Sequence, residues 1–184
     1  MAAKTVPFEE AKAELAKTMC LEKAAVRVTT PDVGGGFGMK ASAYPEYFAC
    51  AFAARELGRP VRWMSTRSEA MLTDCDGRDH VTVAEAAFDP DMRLTALRID
   101  CVAGLGAYNG PYIQFIQSEL ALKVMPGVYD VQTTYFRVRG VFTNTPPMDA
   151  YRGAGRPAAI YVIERLMDAS ARTLGVDPVD LRRR

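Results

Sequence analysis

The chain has 184 residues, 23 Lys and Arg against 22 Asp and Glu, a net charge of +1 and 49% hydrophobic residues. That length suits one domain with a real core, or two small lobes. The balanced charge argues against a nucleic-acid or anionic-membrane surface, and no apolar run approaches the roughly 18 residues of a membrane span. The N-terminal stretch carries Glu9, Glu10, Lys12, Glu14 and Lys17. It does not read as a secretory leader, so the expected compartment is the cytoplasm.

Residues 7–19 read as an amphipathic helix, with Phe8, Ala11, Leu15 and Met19 at helical spacing. Residues 25–30 form a β-type run. A second helix is marked by Pro45 in its first turn, Gly58 as its cap and Pro60 beyond, with Phe48, Phe52 and Leu57 on a buried face. Residues 61–64 read as a strand, and 65–78 as a polar surface connection. His80–Phe88 and residues 93–102 read as a hairpin turning at Asp89-Pro90-Asp91-Met92. A short helix over 113–124 and a strand over 133–142 follow. A long helix from Pro157 to Leu174 comes next, capped by Gly175, and Pro178 opens another. Helices and strands alternate irregularly, which predicts an α+β fold of mixed sheets with packed helices.

Four cysteines, Cys20, Cys50, Cys75 and Cys101, lack any C-x-x-C spacing, so they read as small buried hydrophobes rather than ligands of zinc or an iron–sulfur cluster. His80 is the single histidine and, next to Asp79 at a strand start, suits a structural hydrogen bond. No catalytic side chain and no protein ligand to a metal is expected.

Two glycine-rich loops carry the chemistry. Gly34-Gly35-Gly36-Phe37-Gly38 precedes Met39-Lys40 and matches neither G-x-G-x-x-G nor G-x-x-x-x-G-K-[ST]. It reads as a ligand-binding loop or as a tight turn. Three consecutive glycines lose much conformational entropy on ordering, and Phe37 sits on bare backbone, which favours a ligand. Ala150-Tyr151-Arg152-Gly153-Ala154-Gly155-Arg156-Pro157 places two guanidinium forks around small residues at a helix start. Such a stretch suits an anionic ligand; surface ion pairs and a helix-entry turn are the plainer alternatives.

Together these loops resemble the molybdenum hydroxylase family, which includes xanthine dehydrogenase, aldehyde oxidase, carbon monoxide dehydrogenase and isoquinoline oxidoreductase. Residues 31–40 resemble its P-D-V-G-G-G-F-G-x-K loop and residues 150–157 its A-Y-R-G-A-G-R-P loop. Gly77-Arg78-Asp79-His80, Val141-Phe142-Thr143-Asn144-Thr145, Glu164-Arg165-Leu166-Met167-Asp168 and Leu174-Gly175-Val176-Asp177-Pro178 add to the resemblance. It implies a partial molybdopterin-binding domain over residues 1–184, with sub-lobes 1–75 and 76–184. It implies a molybdenum–molybdopterin cofactor, often the cytosine dinucleotide form, held incompletely by this chain alone. Gly35, Gly36, Phe37, Gly38, Arg152 and Gly153 would face the cofactor, and Ala154, Ala41 and Leu120 the substrate. The implied partners are the remaining segments of a cofactor subunit, an iron–sulfur subunit and a flavin subunit. The implied reaction is hydroxylation of an aldehyde or N-heterocycle, with water as oxygen source.

The departures narrow this. The purine-oxidising branch carries a glutamate at the position of Ala41, an arginine at that of Leu120 and a phenylalanine at that of Ala154. Xanthine is therefore not the expected substrate. Gly153, Ala154 and Gly155 offer no thiolate for the copper that carbon monoxide dehydrogenases bind in this loop. Lys4-Thr5-Val6-Pro7-Phe8 lacks the family's cofactor glutamine, and the family's general-base glutamate falls beyond residue 184. The isolated chain is accordingly expected to be inactive. A non-catalytic fragment or scaffold of such a subunit is the alternative, with an unrelated anion- or nucleotide-binding module behind it.

Overall fold

The computed structural model describes residues 8–184, in two compact units, the first ending at Asp74 and the second spanning Cys75–Arg184. Lys4 to Pro7, where the missing glutamine was read, lie outside the described residues.

The first unit is helical. Helix α1 (Phe8–Thr18) buries Ala11 and Ala16, and Met19 just beyond it. A 3-10 turn follows at Lys23–Ala25. Helix α2 (Pro45–Leu57) starts on its proline and ends on Gly58 at φ 60°. The left-handed conformation costs glycine nothing and lets the chain leave the helix axis. Arg55 Nη1 donates to the Met19 carbonyl at 3.1 Å, tying α2 to the end of α1.

Four expectations change here. Residues 25–30 form no strand: Val26 is extended, with φ −102° and ψ 127°, yet no described ladder partner pairs with it. An extended run without a partner leaves its amides to solvent. Residues 61–64 are likewise irregular, with Met64 75% exposed. Helix α2 buries none of its residues, and Phe52 and Leu57 lie exposed. Within 65–78 there is a helix, α3 (Arg67–Thr73), with a capping box: Thr66 Oγ1 accepts from Glu69 N, and Glu69 Oε2 accepts from Thr66 N. Thr66-Arg67-Ser68-Glu69 is an S/T-x-x-E signature, so the start was readable.

The second unit is a three-stranded sheet with a long helix on one face. Strands β1 (His80–Phe88) and β2 (Leu94–Gly104) form the expected antiparallel hairpin. Asp89 makes the turn: its Oδ1 accepts from Arg93 N at 2.8 Å, and its carbonyl accepts from Met92 N at 2.9 Å. Strand β3 (Thr133–Val141) lies parallel to β2, giving the order β1-β2-β3. The connection from β2 to β3 contains α4 (Ile113–Phe115) running into a π-helix at Ile116–Leu120.

Helix α5 (Arg156–Leu174) lays Ala159, Ile163, Met167 and Ala171 on the sheet, one per turn. They meet Leu94, Leu97 and Ile99 of β2. Burying side chains such as Ile163 and Met167 is worth about 1.5–3 kcal/mol each. The opposite sheet face is polar at its centre, where Asp100 pairs with Arg137 and Arg139. Helix α6 (Pro178–Arg182) is capped by Asp177, whose Oδ1 accepts from Val179 N and Asp180 N. Arg182 then bridges to Glu164 and Asp168 on α5, both at 2.8 Å. Of the cysteines, Cys101 is buried, Cys50 and Cys75 are half-buried and Cys20 is exposed, so the buried-hydrophobe reading holds fully only for Cys101. Cys20 stands in the turn after α1, where no core covers it. Among the described residues no helix is long and apolar enough to cross a membrane.

Candidate functional site

The loop after residue 33 owes its shape to left-handed backbone. Gly35 stands at φ 124°, Phe37 at φ 50° and Gly38 at φ 99°. A Cβ on Gly35 would lie 2.6 Å from the Phe37 ring, so only glycine lets the ring fold back over it. The loop closes through Ala41 N donating to the Gly38 carbonyl at 2.9 Å, and Tyr44 Oη donates to the Met39 carbonyl at 2.9 Å. Among the described residues, no protein acceptor receives the amides of Gly35, Gly36, Phe37 or Gly38. Phe37 is 59% exposed, an apolar ring beside four unused donors.

The loop before α5 is left-handed at three successive residues: Gly153 at 96°, Ala154 at 43° and Gly155 at 82°. Such a run curls the backbone, leaving Gly153 exposed while Gly155 is buried against Ile116. Ala154 N donates to the Tyr151 carbonyl at 2.7 Å, and Arg156 N to the Gly153 carbonyl at 3.2 Å. The amides of Gly153 and Gly155 meet no acceptor among the described residues. Arg152 is exposed and makes no ion pair among them.

Beneath this loop lies a layer of supports. Asp149 is 5% exposed, and its Oδ1 accepts from Ala150 N at 2.8 Å and Tyr112 N at 3.2 Å. Burial pushes this carboxyl up from its ordinary range, while the two amides pull it back. Asp149 N donates to the Asp76 carbonyl at 2.8 Å, and Asp76 N to the Pro147 carbonyl at 2.9 Å. A Cβ on Gly155 would lie 2.6 Å from the Ile116 carbonyl, so the loop rests directly on the π-helix. Such π segments recur at functional sites. His80 Nε2 pairs with Gln117 Oε1, which joins that helix to β1. Burial holds the His80 pKa below its ordinary value. The space between loop and supports is about 10 Å³, with Gly77, Gln117 and Ala154 among its lining residues. That is about one water probe.

Comparison with known proteins identifies what these loops belong to. The molybdopterin cofactor-binding domain family matches residues 1–184. The chain belongs to that family. It is 36% identical over 159 residues to the carbon monoxide dehydrogenase large chain of Hydrogenophaga pseudoflava, covering 85% of this chain and 20% of that one. It is 35% identical over 159 residues to the nicotine 6-hydroxylase large subunit of Paenarthrobacter nicotinovorans, with the same coverage. The crystal structure of quinoline 2-oxidoreductase from Pseudomonas putida 86 superposes with a TM-score of 0.89 at 36% identity, over 98% of this chain and 23% of that one. The chain thus spans about a fifth of the length of the curated relatives it matches.

As a molybdopterin cofactor-binding domain, the chain carries features that suit an anionic cofactor. Among the described residues the amides of Gly35–Gly38, Gly153 and Gly155 meet no protein acceptor, and Arg152 has no counter-ion. The structure brings Arg152, Gly153 and Ala154 into one loop. Leu120 is half-buried on the π-helix, next to Ala121, whose amide lies 3.5 Å from a Cβ built on Gly155. Gly35, Gly36, Phe37 and Gly38 form the other loop, with Ala41 bonded at its end. Asp149 and Gln117 escaped the sequence reading. Both act through partners distant in sequence, and no local pattern marks them. Among the described residues no cluster of three His, Cys, Asp or Glu could hold a metal ion.

Proposed function

We propose that this chain holds part of a molybdenum–molybdopterin cofactor, in its cytosine dinucleotide form, for a hydroxylase acting on an aldehyde or an aromatic N-heterocycle. The observation that carries this reading is the left-handed run Gly153-Ala154-Gly155, where the Gly153 and Gly155 amides meet no acceptor among the described residues and Arg152 is exposed beside them. When bound, that cofactor supplies a two-electron oxidation, with water as the oxygen source.

The residues of this chain have narrower tasks. The Gly35–Gly38 amides and those of Gly153 and Gly155 would donate to anionic oxygens of the cofactor. Oriented backbone donors stabilise negative charge without reorganising. Arg152 adds a fixed positive charge. Exposed Phe37 would gain burial against the bound group and shield the donors from water. Ala154, Ala41 and Leu120 would present small or apolar surface to the substrate. An apolar set of this kind favours a neutral planar ring or an aldehyde over a purine, whose polar edge would go unpaired. The loop after Arg152 contains no thiol, which argues against a copper–molybdenum centre.

The names of relatives as a large chain and a large subunit support partner subunits; iron–sulfur and flavin subunits are the partners that the proposed oxidation would need to carry away its electrons. The test is to purify the protein with its genomic neighbours and measure molybdenum and pterin. Quinoline, nicotinate and benzaldehyde are then supplied in ¹⁸O-labelled water. Label in the product from water supports the reading. Label from dioxygen, or a protein free of molybdenum, refutes it.

A further inference from the structure

We infer that Arg78 is a positioning residue that clamps the Arg152 loop, holding the Gly153 amide turned toward the anionic ligand. The inference rests on the cofactor reading of that loop for its purpose, though not for its geometry. Arg78 stands at φ 70°, a left-handed conformation that long side chains rarely adopt. Strain of this kind persists only where surrounding contacts over-determine it, and it gathers at functional sites. Two contacts do so here. The Nη2 of Arg78 donates to the Arg152 carbonyl, and its guanidinium carbon lies 4.8 Å above the Tyr151 ring. Gly77 makes the approach feasible, because a Cβ there would lie 3.0 Å from the Tyr151 Cβ.

The peptide geometry converts this grip into an aim. A trans peptide is planar, so its C=O and N–H point in opposite directions. Holding the Arg152 carbonyl against Arg78 turns the Gly153 N–H to the far side, where no described protein group accepts it. The clamp stands on a firm base. Gly104 N donates to the Asp79 carbonyl at 2.9 Å, and His80 pairs with Gln117. Arg78 therefore transmits the position of β1 to a loop 74 residues later. The fork geometry matters, since a lysine could reach the carbonyl but could not also lie flat on the tyrosine ring.

The test uses the full 184-residue chain and two variants, Arg78→Met and Arg78→Lys, read by amide hydrogen exchange. The amides of Ala154 and Arg156 are bonded inside the loop and report its order. In R78M their exchange should rise about tenfold, as expected for losing a hydrogen bond from a charged donor, while Val102 and Ile99 in β2 stay protected. R78K should fall between wild type and R78M. Loop protection within about twofold of wild type in R78M overturns the clamp. So does R78M losing protection throughout the sheet while R78K keeps wild-type loop protection, because Arg78 then serves folding alone. In the cofactor-loaded protein, R78M should also lower the molybdenum-to-protein ratio several-fold, with R78K partly restoring it. A wild-type protein without molybdenum would sink the cofactor reading, and the exchange result would still decide the clamp.

Discussion

Gly155→Ala isolates how closely the Arg152 loop must sit on the π-helix. Gly155 stands at φ 82°, and a Cβ there would lie 2.6 Å from the Ile116 carbonyl oxygen and 3.4 Å from its Cγ2. Ordinary carbon–oxygen contacts begin near 3.3 Å, so the overlap is roughly 0.7 Å against backbone that cannot swing aside. Gly175, at the other end of α5, supplies the control: its φ is 71° and a Cβ would meet nothing within 4 Å. Gly175→Ala should therefore cost only the left-handed penalty, about 1 kcal/mol, partly offset by the stiffer unfolded chain. G155A carries that penalty plus the displacement of loop or π-helix, about 2–4 kcal/mol in all. Urea melts followed by far-ultraviolet circular dichroism, with equal m-values, give the comparison. If G155A loses no more stability than G175A, the loop does not rest on Ile116 and the support argument fails.

Asp149→Ala should cost about 2–4 kcal/mol, because it strands the Tyr112 and Ala150 amides under the loop; Asp149→Asn, keeping one acceptor oxygen, should lose less in the same melts. Tyr129 is pushed up to about 12 by burial and by its hydrogen bond to Glu164. Its contribution to stability is full below the ordinary value of 10 and disappears as pH rises toward 12. Tyr129→Phe should flatten that alkaline limb, and phenolate absorbance should locate the titration. His80 is held below its ordinary 6.5, mainly by burial. The unfolded chain then takes up the proton first, so stability is full above 6.5 and declines as pH falls through it. His80→Gln should remove this slope, and a folded-state pKa above 6.5 by NMR would contradict the assignment.

Sequence by itself determined whatever is encoded within a few residues. Pro45 and Gly58 delimit α2, and Gly175 ends α5, because proline and left-handed glycine act on their own dihedrals. The β1–β2 hairpin was legible because its turn residues and alternating strands are contiguous. The glycine loops were visible as composition, and their left-handed backbone follows from it at Gly35, Gly38, Gly153 and Gly155. Tertiary structure decided what depends on distant partners. Residues 25–30 and 61–64 have strand composition yet form no ladder, since a strand exists only where another chain segment offers its donors and acceptors. The direction of β3 beside β2 is parallel for the same reason: pairing across a long connection leaves no local mark. The supports of the Arg152 loop belong to this second class. Asp149 and Gln117 are ordinary polar residues in sequence, Arg78 stands in a motif that does not name its partner, and only the packing of β1, the π-helix and the loop makes them neighbours.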